Sequence, residues 1–104
     1  MVSPETVTEL ALSLHGVVKH EHWGRPAFKV NKKIFATIWP AEKRAVLLLT
    51  VVQQSVYTEM NNKIFFAVKG GWGSKGATNV DLSAVKKNVL KEALKLAWMN
   101  RAKK

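Results

Sequence analysis

The chain has 104 residues, 47% apolar and 23% charged, with seventeen Lys and Arg against seven Asp and Glu and no cysteine. That length closes one hydrophobic core and leaves nothing for a second domain or a linker, and without cysteine there is no disulfide, thiolate nucleophile or cysteine-ligated zinc. The formal charge of +10 directs attention to anionic partners, while no stretch reaches the roughly 18 uncharged apolar residues of a membrane span and no secretory signal opens the chain, so a cytoplasmic location is expected.

Ser3-Pro4-Glu5 reads as a helix start, with Ser3 as cap, Pro4 where no N–H is missed and Glu5 at the positive end of the dipole. Val7, Leu10, Ala11 and Leu14 follow at helical spacing, and Gly16 offers a left-handed stop. From Val17 to Thr50 the period shortens to that of strands. Four are expected, Val17 to His22, Ala27 to Val30, Lys33 to Trp39 and Ala45 to Thr50. The turns between them are Gly24-Arg25-Pro26, Asn31-Lys32 and Pro40 to Arg44, short enough to require antiparallel pairing.

A short helix is predicted over Gln53 to Met60, where Val56, Tyr57 and Met60 share a stripe and Asn61-Asn62 stops it. A fifth strand follows over Ile64 to Val68, then a loop of four glycines from Gly70 to Gly76, then a sixth strand over Ala77 to Leu82. The last helix is predicted to begin between Ser83 and Lys86 and to run to about Arg101. At 100° per residue Val89, Leu90, Ala93, Leu94 and Ala97 form its core side and Lys87, Lys91 and Lys95 a basic side, with Trp98 at the boundary. The economical fold is α+β: an antiparallel sheet of five to six strands, covered on one face by the terminal helices, with a short helix between strands 4 and 5.

Two segments carry a resemblance. Trp23-Gly24-Arg25-Pro26-Ala27-Phe28-Lys29-Val30 followed by Lys33-Ile34-Phe35-Ala36, and Gly71-Trp72-Gly73-Ser74-Lys75-Gly76-Ala77-Thr78-Asn79-Val80 followed by the closing helix with Ala93 to Trp98, resemble the MmcQ/YjbR family of small bacterial proteins from Pro4 onward. The resemblance implies a CyaY-like two-layer sandwich, also described as a double wing, and a suggested role in DNA binding, with no established activity. Iron binding in CyaY-like proteins uses an acidic ridge, and Glu5 and Glu9 alone on the first helix are too sparse for one.

Charge is unevenly distributed. Residues 1–18 hold Glu5 and Glu9 and no Lys or Arg, whereas residues 83–104 hold seven basic groups against Glu92 alone. Lys87, Lys91 and Lys95, extended by Lys86, Arg101, Lys103 and Lys104, form the first candidate site, for nucleic-acid phosphates. Like charges at i, i+4 and i+8 do not help the helix, although a solvated basic face is the plain alternative. The second candidate is the aromatic and basic set Trp23, Arg25, Trp72, Lys75 and Trp98, in which indoles beside cations suit stacked bases. Trp39 and Trp98 are read as core, and Trp72, between glycines, as exposed, with anchoring of its loop as the competing role. Lys75 in the glycine loop could hold a lone phosphate on backbone N–H groups, but the loop lacks the nucleotide-binding pattern and leads to a strand. His20 and His22 share a strand face without an evident third metal ligand, so no metal or other cofactor is expected.

No nucleophile–base arrangement follows from spacing, and an enzyme is not expected. The expectation is a DNA- or nucleic-acid-binding domain acting through Lys87, Lys91, Lys95, Lys75, Trp72 and Arg25, as a monomer or weak dimer. The alternative is a module for an acidic protein partner or a small anionic ligand.

Overall fold

The computed structural model describes residues 1–22 and 24–102, leaving out the side chain of His22. Helix α1 spans Pro4–Leu12, with Ser3 Oγ accepting the Thr6 N–H at 3.1 Å and Pro4 in the first turn. It ends at Leu12, before Gly16, whose φ of +76° turns the chain into β1 (Val18–His22). Strand β2 (Arg25–Val30) begins two residues earlier than the sequence suggests. It turns into β3 (Lys33–Trp39) through Asn31 and Lys32, both at positive φ (58° and 65°), the two-residue geometry whose twist matches that of the strands. A 3-10 turn at Pro40–Glu42 leads to β4 (Arg44–Leu48).

Thr50, read as strand, instead caps α2 (Val51–Met60). Its hydroxyl accepts the Gln53 N–H while the Gln53 side chain accepts the Thr50 N–H, a reciprocal capping box. Strand β5 (Phe65–Ala67) is shorter than expected. The glycine segment contains one helical turn, α3 (Gly71–Ser74), before β6 (Ala77–Asp81), and α4 runs Lys87–Ala102.

The six strands form one antiparallel sheet in the order β1-β2-β3-β4-β6-β5. Side chains alternate between its faces while cross-strand partners share one. Phe28, Ala36 and Leu47, and beside them Ile38, Ala45, Val80 and Phe65, lie on the face that receives the helices. Leu90, Ala93, Leu94 and Ala97 of α4 are buried with them, each leucine contributing about 1.5–3 kcal/mol by burial. The alanines on both sides let helix and sheet approach closely.

Helix α4 is central in this layer. Trp98 Nε1 donates to the His15 carbonyl beyond α1 at 2.9 Å. On its other flank Tyr57 donates to Glu92 at 2.7 Å, and Asn100 donates to Gln53 Oε1 at 2.8 Å. The expected two-layer sandwich is therefore present, with α2 joining the terminal helices on the same face.

Candidate nucleic-acid interface

Lys87, Lys91 and Lys95 are all exposed and line one stripe of α4. Over about 12 Å of helix they form a row on the flank that borders α1. The single carboxylate of α4, Glu92, turns to the α2 flank, where the Tyr57 hydroxyl engages it. Because α4 begins at Lys87, that lysine sits in the first turn, where the helix dipole is positive, and the helix has no acidic residue there. The dipole therefore opposes Lys87, contrary to the favourable C-terminal placement a basic helix face can exploit. The stripe costs the helix stability and leaves its charge directed at solvent.

The remaining predicted residues lie elsewhere. Gln54 Nε2 donates to the carbonyls of Gly73 at 2.9 Å and Ala77 at 3.0 Å, holding the glycine segment against α2. Trp72 is 52% exposed at its tip. Lys75, also exposed, is brought to the far end of α4, where it borders a hollow of about 480 Å³ with Thr50, Asn100 and Arg101. Arg25 is on the opposite face of the sheet from every helix. The six residues are thus divided among three surfaces. Trp23, Lys103 and Lys104 lie outside the described residues, as does the side chain of His22. His20 is exposed, and among the described residues no group of three or more His, Asp or Glu comes together.

Trp39 is not a core residue. It stands half-buried on the helix-free face, with the Arg25 guanidinium carbon 3.6 Å and that of Arg44 4.2 Å from its ring centroid. Trp98 is half-buried against the core, held by its bond to His15. Arg44 and Trp39 escape a sequence reading as site residues because their neighbour relation to Arg25 depends on strand register. The alternation of Trp39 with Thr37 is the available signal, and the register shift between β2 and β3 beyond Ala36 takes Phe35 out of it and into the core.

A sequence model of the YjbR family matches residues 12–100. The chain belongs to the YjbR family. No curated protein matches it. Among solved structures, this YjbR chain is similar to the Deinococcus radiodurans protein DR2400, which carries a DUF419 domain. The TM-score is 0.85 at 16% identity, over all of this chain and 81% of that one. At that identity the likeness concerns fold. The YjbR family is one of unknown function, so the chemistry of this member is argued from its own residues.

Proposed function

We propose that the domain binds nucleic acid through phosphate contacts made by α4. The supporting observation is the row of Lys87, Lys91 and Lys95, exposed together, with Glu92 tied to Tyr57 on the other flank. Duplex DNA carries one negative charge per about 1.7 Å of axis, so a duplex along α4 offers each lysine a phosphate. Lys75 beside Arg101 supplies further positive charge at the helix end, and Trp72 at the loop tip is available to a neighbouring base.

Phosphate contacts confer affinity without sequence preference, so binding is expected to be general and strongly salt-dependent. The test is fluorescence anisotropy with labelled duplex and single-stranded oligonucleotides between about 50 and 200 mM salt. Affinity should fall steeply with salt, and Lys87→Ala, Lys91→Ala and Lys95→Ala together should reduce the duplex slope by about 0.9 for each phosphate that is no longer neutralised. No binding to any oligonucleotide at the lowest salt would refute the proposal.

A further inference from the structure

The helix-free face of the sheet carries a separate assembly. His20, Ala27, Thr37, Val46, Asn79 and Phe66 form one cross-strand row, and Trp39, Arg44 and Asp81 belong to the next. Ala27 and Val46 are 0% and 2% exposed although no helix covers them. On the same face Arg25, Trp39 and Arg44 are each half-buried, with both guanidinium groups stacked on the indole, an arrangement in which long cationic side chains cover apolar surface with their stems.

Arg44 is oriented twice, by the indole and by donating through Nη1 to Asn79 Oδ1. Asp81, its cross-strand partner, uses Oδ1 to accept from the Ser83 N–H at 3.0 Å and hydroxyl at 2.6 Å. Beyond Arg44 lies a hollow of about 430 Å³, lined by Arg44, Phe66, Ala67, Val68, Lys69 and Asn79. This lining combines two cations, an amide and a phenyl ring with no carboxylate. Phe66 is 41% exposed on the edge strand. A fixed guanidinium fork matches a phosphate or carboxylate, and a bare phenyl face suits a flat ring.

We propose that this hollow binds a phosphate-bearing aromatic ligand of mononucleotide size, its phosphate held by Arg44 and Lys69 and its ring laid on Phe66. The hollow falls within the roughly 300–1,000 Å³ of small-ligand pockets. The same unit occurs as a free nucleotide and within a single strand. The site lies across the sheet from α4 and stands whether or not α4 contacts nucleic acid.

The test is to titrate ¹⁵N-labelled protein with adenosine 5′-monophosphate, adenosine, inorganic phosphate and a short single-stranded oligonucleotide, following amide and side-chain signals. The nucleotide should shift Phe66, Lys69 and Asn79 with a dissociation constant at or below about 1 mM, with adenosine and phosphate each weaker. Arg44→Lys, Lys69→Gln and Phe66→Thr should each weaken it about tenfold or more, with unchanged thermal unfolding for the two exposed positions. The Lys87, Lys91 and Lys95 alanine variant should bind it as well as the parent. Tighter binding of the oligonucleotide than of the nucleotide at these residues would assign the ligand to a strand, and the reverse to a free nucleotide. Phosphate alone matching the nucleotide would overturn the aromatic part. An absence of shifts, or shifts indifferent to all three variants, would overturn the site.

Discussion

Tyr57 is the only tyrosine in the chain, and its hydroxyl joins α2 to α4 through Glu92. Burial first, then the hydrogen bond to Glu92 and that carboxylate's charge, disfavour the phenolate and raise the pKa above its ordinary 10.0. Below pH 10 the folded and unfolded chains both hold the proton and the contribution is complete. Above it the unfolded chain loses its proton first, so stability declines as pH rises. An alkaline titration should show phenolate absorbance appearing together with unfolding. A folded protein whose tyrosine titrates near 10.0 would contradict this. Tyr57→Phe should remove that pH dependence and cost about 1 kcal/mol. The glycine segment makes a sharper prediction. A Cβ on Gly73 would lie 1.6 Å from the Val68 carbonyl oxygen, and one on Gly76, at φ +112°, 1.9 Å from that of Leu49, whereas Gly71 has nothing within 4 Å. Alanine at 73 or 76 should therefore destabilise by at least about 2–3 kcal/mol, and alanine at 71 should leave the thermal midpoint nearly unchanged.

Helix α2 buries only Tyr57, packed 4.9 Å from the Phe65 ring, while Val52, Val56 and Met60 are 73%, 60% and 57% exposed. Replacing these three with glutamine should change unfolding free energy by no more than about 0.5 kcal/mol each, measured by urea denaturation. A larger loss would mean that the stripe is covered in solution. The period of residues 53–60 makes a helix legible in the sequence, two residues short of its observed start at Val51, but it also gives Val56, Tyr57 and Met60 the pattern of one buried stripe. Which of them docks is decided by Phe65 and Glu92 meeting Tyr57. The strands through Trp39 and the basic side of α4 are readable because their signals are local. The turn of helix in the glycine segment is not, since its local bonds, such as Ser74 N–H to the Gly70 carbonyl, are joined by bonds from Gln54 on another element. Nor is the grouping of Arg25, Trp39 and Arg44, because alternation reveals that a strand has two faces while register alone reveals who sits beside whom.

At the scale of the molecule, about 30 × 29 × 26 Å, the sheet separates two basic surfaces, α4 on one side and the arginine pair with Lys69 on the other. Substitutions this far apart without shared partners act additively, so a protein altered on both surfaces should show the summed effects of the separate variants in the oligonucleotide and nucleotide titrations. The strand order has a different consequence, one of timing. β1 to β4 form a meander from neighbouring segments, but the chain then crosses through α2 to lay β5 at the far edge and only afterwards inserts β6 between it and β4. During synthesis the edge of β4, carrying the apolar run Ala45-Val46-Leu47, stays unpaired until residues 77–81 emerge. Any β1–β4 sheet formed ahead of β6 would present an open strand edge to other chains, and β6 both completes the bed for α4 and closes that edge.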